Sequence, residues 1–238
     1  MHEASRHSFH NADIRMSRTS NRGRPGLLGA VIAVSLAAGA VGCTDGETAG
    51  ATPDWSTGPT ELCGGEAVSV EAGEALKVIT GSSRFEGSGP EYTVAQAVRP
   101  MRERLAFAVV GDGDICRVYG MSASSMEYIE VTWELTGGPP KGEPASKFTV
   151  LPVGERALTA PDAAAVQFAC RSAKLPGSTP THIGVGVQRW LPMDPEGDPE
   201  KLKDAYATVV HFFALAMAKE LRCENDGGLE ARPSLDPA

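Results

Sequence analysis

The stretch EYIEVTWEL, Glu127 to Leu135, alternates strictly between polar and apolar residues. Ile129, Val131, Trp133 and Leu135 fall on one side, and Tyr128, Glu130, Thr132 and Glu134 on the other. A period of two residues predicts a strand with one buried face and one wet face. Strands of parallel sheets are covered on both faces and read as continuous apolar runs, so this alternation indicates an antiparallel sheet.

Other elements follow outward from that strand. On its N-terminal side, Ile115 to Met121 reads as a partner strand. The apolar run Leu105 to Val110 precedes it and is stopped by Gly111, Asp112, Gly113 and Asp114, which read as a tight turn. On the C-terminal side, TGGPPKGEP reads as a linker between two halves, 61–136 and 146–223. Strands resume at Phe148–Val153, Ala165–Cys170 and Thr181–Trp190; the last alternates Ile183, Val185 and Val187 with Gly184 and Gly186.

Helical signals flank these strands. Ala72, Ala75, Leu76 and Ile79 share one helical face, with Ser69 as N-cap and Gly81 as the stop. A second helix is expected from Thr93, kinked or ended by Pro100. Asp198 and Pro199 supply an N-cap and a first-turn proline for a long helix reaching about Arg222. From Ala205 to Ala218 this helix is apolar nearly all round, which predicts a core element too short to span a bilayer.

Runs of strand without regular βαβ alternation give the expected class: α+β, an antiparallel sheet with helices packed on one face. Aligning Cys116-Arg117 with Cys170-Arg171 also matches Ile129 to Ile183 and Val131 to Val185. That faint echo is either a duplication or the chance similarity of alternating strands.

The N-terminus carries a different kind of signal. Arg15, Arg18, Arg22 and Arg24 precede an uncharged run from Gly26 to Gly42, which reads as a cleaved export signal over 1–42. Met16 could serve as the start, leaving 1–15 as an upstream extension. No twin-arginine pair is present, which favours the general secretory route. Ala40-Val41-Gly42-Cys43 resembles the bacterial lipobox, although Ala40 stands where that pattern prefers Leu. The resemblance implies fatty-acyl modification of Cys43, and two or more chains would anchor the protein stably. Residues 43–60 are Gly/Pro/Thr-rich and read as a flexible tether, 61–223 as a single domain and 224–238 as a disordered tail.

With Cys43 lipidated, Cys63, Cys116, Cys170 and Cys223 remain in an oxidising compartment, an even number that reads as two disulfides. Three pairings are open; Cys63–Cys116 and Cys170–Cys223 are preferred because each brackets a helix. Each loop would stabilise the fold by roughly 4 kcal/mol in the chain-entropy model. A zinc site is disfavoured, since no C-x-x-C occurs and neither His182 nor His211 stands at ligand spacing to a cysteine.

The formal charge of the whole chain is −8. The leader takes five arginines and two acids, so the remainder stands at −11. This argues against nucleic-acid partners and against a basic patch for anionic membranes.

Candidate chemistry is sparse. Asp194, Glu196, Asp198 and Glu200 could hold calcium, but Gly197 is misplaced for an EF-hand and Pro195 and Pro199 intervene. Their simpler role is a solvated loop at a helix N-terminus. Asp112 and Asp114 read as turn residues and His211 as a hydrogen-bonded core histidine. His182, beside Gly184, has room for a ligand. Gly120-Met121-Ser122-Ala123-Ser124 lacks the last glycine of a nucleophile elbow. Trp55, Trp133 and Trp190 are too scattered to suggest a carbohydrate platform. No catalytic, metal or cofactor residue is assigned.

The chain resembles uncharacterised actinomycete cell-envelope lipoproteins. The residues carrying this are the motif at Cys43, Leu62-Cys63-Gly64-Gly65 opening a short helix, Cys116-Arg117 before a strand, and the long helix ending at Leu221-Arg222-Cys223-Glu224-Asn225. The resemblance implies a membrane-anchored, extracytoplasmic, disulfide-stapled domain and no known activity. Two classes of function remain: a non-enzymatic module binding a small molecule, a cell-wall component or a protein, and a divergent secreted hydrolase. The hydrolase requires His182 or His211 within reach of both a serine and an acid.

Overall fold

The computed structural model describes residues 56–65, 67–108, 110–120, 128–190 and 196–238. Cys43 and Asp194 lie outside them, as do Ser122, Ser124 and Ser125.

Seven strands form one antiparallel sheet in the order β1-β2-β3-β7-β6-β5-β4. They are β1 (Phe85–Gly87), β2 (Val110–Gly120), β3 (Tyr128–Thr136), β4 (Thr149–Leu151), β5 (Arg156–Ala160), β6 (Ala163–Cys170) and β7 (Thr181–Trp190). Among the described residues three α-helices accompany them, α1 (Val70–Thr80), α2 (Val94–Leu105) and α3 (Pro199–Glu220), with short 3-10 turns at Pro59–Gly64 and Glu224–Gly228. Helix α3 packs on β5, β6 and β7, α2 packs on β2, and both α1 and α2 pack on α3. The fold is therefore α+β with its helices on one face, as the alternation in β3 predicts.

The central pair sets the register. Trp133 lies opposite Val185, and Ile129 opposite Arg189. Ile129, Val131, Trp133 and Leu135 are all buried beneath the helices. In α1 the Ser69 hydroxyl accepts from the Ala72 amide, and Gly81 ends the helix in the left-handed region at φ 65°. In α3 the Asp198 carboxylate accepts from the amides of Glu200 and Lys201. Helix α3 is apolar nearly all round because the sheet, α1, α2 and the C-terminal segment surround it. No helix among the described residues is long and apolar enough to cross a membrane.

Two disulfides staple this layer: Cys63–Cys116 with Cα atoms 5.8 Å apart, and Cys170–Cys223 at 5.0 Å, each spanning 53 residues. Helix α3 delivers Cys223 through a Schellman turn. The Cys223 amide donates to the Ala218 carbonyl, the Arg222 amide donates to the Lys219 carbonyl, and Arg222 adopts φ 53° where glycine is usual.

Several expectations are corrected. Gly111 to Asp114 are not a turn but part of β2, paired with Leu135 to Thr132. The glycines serve close packing: a Cβ on Gly113 would meet the Trp133 indole at 2.9 Å, and one on Gly111 would meet the Arg104 side chain at 2.9 Å. A bulge at Ile115 then restores phase, so that Cys116 and Val118 share the buried face. Pro100 sits inside α2 without ending it. It lies on the exposed side, where water can serve the carbonyl it leaves unbonded, while Met101 anchors the opposite side in the core.

The linker does not divide the domain. Residues 137–148 strap obliquely from the end of β3 to the start of β4, across the open face of the same sheet. Gln167 donates to the Gly138 carbonyl, Arg156 donates to the Gly142 carbonyl, and Lys147 reaches Asp162 at the far corner. The register also does not carry the internal echo, since Cys116 faces Val131 whereas Cys170 faces Thr181 rather than Val185.

Both ends of the expected domain extend further. Thr57 bridges to Phe85, so the last tether residues are seated on the sheet edge. The segment 224–238 is not a free tail. Leu229 is buried, the Glu230 carbonyl bonds His211, Arg232 pairs with Glu71, and the Ala238 amide donates to the Val150 carbonyl.

Candidate functional site

The face of the sheet away from the helices carries the side chains left over by the buried alternation. Residues directly opposite one another in an antiparallel pair share a face. Tyr119 lies opposite Tyr128, and Tyr128 opposite Trp190, so three aromatic rings form one row across β2, β3 and β7. Tyr119 and Tyr128 sit 5.4 Å apart, tilted by 47°; Tyr128 and Trp190 sit 5.4 Å apart and nearly parallel, at 10°. Strand β6 begins opposite Gln188, so no strand residue stands beyond Trp190 in this row. Trp190 is 50% exposed.

The next row is polar. The Arg117 guanidinium donates through Nε and Nη2 to Glu130 Oε1 at 3.2 and 3.0 Å, and through Nη2 to Asp114 Oδ2 at 3.1 Å. Gln188 Nε2 donates to Glu130 Oε2 at 3.1 Å. Arg117 also stands 5.6 Å from the centre of the Tyr128 ring, within cation–π range. Partial burial would lower the Arg117 pKa, but the Glu130 hydrogen bond and the Asp114 and Glu130 charges outweigh it and raise the value. Burial, then the Glu130 charge, raises the Tyr128 phenol above its ordinary value against the opposing pull of Arg117. An aromatic wall thus stands beside a fixed ladder in which one guanidinium serves two carboxylates.

Below these rows the strand residues are small or covered, and the 137–148 strap crosses the face at Gln167 and Arg156. Thr132 faces Gly186, and Glu134 lies across Gly184 where a side chain would otherwise stand. Desolvation against the sheet, followed by the neighbouring Asp112, raises the Glu134 carboxyl above the usual carboxylate range. Asp112 and Asp114 are therefore open-face strand residues. At the lower edge His182 Nδ1 meets Glu155 Oε2 at 2.8 Å, both partly exposed.

No family model matches the chain, and no curated protein or solved structure matches it either.

The sequence candidates are dispersed. His182 gains an acid partner, Glu155, but no serine hydroxyl bonds either histidine among the described residues. His211 is buried in α3, its Nε2 2.9 Å from the Glu230 carbonyl. Burial lowers its pKa, opposed by that carbonyl and by the Glu230 charge. Asp198 is occupied as the α3 N-cap and Glu200 pairs with Lys203. Among the described residues no group of three or more potential metal ligands gathers. Two shallow cavities of about 450 and 550 Å³ are lined by neither histidine.

Sequence reasoning missed the aromatic row. Tyr128 was visible on the polar side of its strand, but Tyr119 and Trp190 sit at strand ends. Only the cross-strand register brings the three together. Trp133, by contrast, is wholly internal.

Proposed function

We propose that this chain is a membrane-anchored extracytoplasmic lipoprotein, acylated at Cys43, whose open sheet face binds a neutral, hydroxyl-rich ligand such as a cell-envelope glycan. The observation carrying the binding role is the row Tyr119, Tyr128 and Trp190 beside the ladder Arg117, Glu130 and Gln188. The side of the Trp190 indole away from Tyr128, which no strand residue covers, offers an apolar plane for a sugar ring, and the fixed carboxylate and amide beside it offer hydrogen bonds to hydroxyls. Arg117 balances only one of the two carboxylates it bonds, so the ladder keeps a net negative charge and an anionic ligand is disfavoured there. Two disulfides support an oxidising compartment, and the signal ending at Cys43 supports export and anchoring.

The divergent-hydrolase alternative has one observation in its favour, the contact of His182 with Glu155. It lacks a serine hydroxyl bonded to that ring among the described residues. The binding reading uses groups already in place.

Titrating soluble envelope glycan fragments against tryptophan fluorescence tests it. Trp190 is exposed and Trp133 buried, so a saturable change is expected in the native chain and in a Trp55→Phe variant, which leaves Trp190 as its source. Trp190→Ala should weaken binding by about tenfold or more, in line with the cost of losing a stacking anchor. Unchanged affinity in that variant refutes the platform. Mass spectrometry of the exported chain, with or without acyl mass on Cys43, tests the anchor separately.

A further inference from the structure

The chain is acidic as a whole, yet α2 concentrates cations. Arg99, Arg102 and Arg104 are exposed, and none makes a hydrogen bond or an ion pair among the described residues. Arg99 and Arg102 line a groove with Lys174 from the β6–β7 connection; Glu103 also faces it, and Lys174 is shared with Glu220. The core-facing stripe of α2 is separate, made of Val94, Ala97, Val98 and Met101.

Where α2 ends, the chain exposes apolar residues. Phe107 is 92% exposed, the most open large hydrophobic side chain of the described residues, and Val110 is 59% exposed. Ala106 and Ala108 beside them are exposed as well. An apolar tip rimmed by arginines, of which only Arg104 is used internally by lying over Gly111 of β2, has the composition of an interfacial anchor: the ring enters the headgroup boundary and the cations meet anionic lipid. Its place in the fold agrees. Thr93, which caps the start of α2, shares a cavity with Thr57, where the tether joins the sheet. The twelve residues of α2 put the tip about 18 Å further on. The thirteen residues between Cys43 and Thr57, read as a tether, span about 20 Å on average.

We propose that the tip formed by Ala106, Phe107 and Ala108, with Arg99, Arg102 and Arg104, docks on the anionic phospholipid surface that carries the anchor. This rests on the anchoring proposed above and adds a second contact that orients the domain on the bilayer. One such contact is weak alone and becomes effective when the tether keeps the surface near. It also locates a basic patch that the net charge conceals.

The full exported chain is purified, its mass at Cys43 recorded, and it is placed in vesicles of phosphatidylcholine alone or with about one third phosphatidylglycerol. Amide exchange at Ala106–Ala108 should slow about tenfold with the anionic lipid, and the slowing should vanish at about 0.5 M salt. Exchange within α3 should not change, which controls for folding. The Phe107→Ser and Arg99→Glu/Arg102→Glu variants, altered only at exposed positions, should lose the slowing. Equal exchange in both vesicle types by an acylated chain overturns the docking. Slowing that grows with protein concentration in the absence of vesicles overturns it in favour of a second copy. A chain without acyl mass defeats the anchor alone; docking is then decided by whether that chain co-sediments with anionic vesicles and not with neutral ones.

Discussion

The covered and open faces of the sheet are built from the same strands, alternate residue by alternate residue, yet they obey different constraints. On the covered face each position is fixed by volume: Gly113 is small because Trp133 is large, and Phe168, Val185 and Phe213 are buried together in the core. On the open face positions are fixed by partner. Arg117 satisfies Glu130 and Asp114, Gln188 completes Glu130, and the aromatic rings stack on one another. Packing specifies the first face and leaves no freedom for function. The second can change residues without unfolding the domain, and a binding surface needs that freedom.

The sharpest contrast is between two large aromatic side chains. Phe213 is fully buried in α3, so Phe213→Ala should cost about 3–5 kcal/mol, the transfer term plus the cavity left behind. Trp190→Ala removes a half-exposed ring whose stack on Tyr128 is worth about 0.5–1.5 kcal/mol. Denaturant unfolding of both variants measures the difference. Equal losses would show that the open face contributes to stability as the core does, and would remove the reason for treating it as a free surface.

The covered face was also the more legible of the two. Alternation in β3, the caps Ser69, Asp198 and Gly81, and the even cysteine count are local signals, and the structure follows each of them. The failures have a common cause. Gly111 and Gly113 resemble turn residues unless the indole of Trp133 is known to lie over that part of β2. The short strands β1 and β5 carry little alternation of their own and exist because β2 and β6 offer them edges. Residues 224–238 look solvated, yet Leu229 and the Glu230 carbonyl find partners only in the assembled core. The aromatic row depends on register between strands distant in sequence, which no local pattern encodes.

A matched pair of glycine substitutions tests the same contrast at smaller scale. In Gly113→Ala the new Cβ would stand 2.9 Å from three atoms of the buried indole, which has nowhere to go. Overpacking of this kind costs about 1–3 kcal/mol. In Gly184→Ala the nearest atom, 2.6 Å away, is Cγ of Glu134, a flexible side chain that can swing into water. Lower backbone entropy in the unfolded chain then offsets the disturbance, leaving a change of about 0.5 kcal/mol or less. Thermal unfolding of the two variants side by side measures both; a larger loss at Gly184 would reverse the assignment of the faces.

The smallest effect is a difference in sign with pH. Burial in the helical layer depresses the His211 pKa below 6.5, so the unfolded chain takes up a proton there more readily than the folded one. Stability from this group is whole above about pH 6.5 and falls as pH drops through the depressed value. Glu134 on the open face behaves oppositely. Its pKa is raised above 4.5, so its contribution is whole at lower pH and is lost as pH rises through the raised value. Much of the Glu134 side chain remains in water, and screening keeps its effect the lesser of the two. Denaturant midpoints between about pH 7.5 and pH 4 separate the groups. His211→Gln, whose amide can still donate to the Glu230 carbonyl, should flatten the slope below neutrality. Glu134→Gln should leave that slope intact, stabilise the domain slightly at neutral pH and flatten only the more acidic window. A slope below neutrality that survives His211→Gln would mean that the buried ring does not sense pH, and the helical layer would owe its acid response to another group.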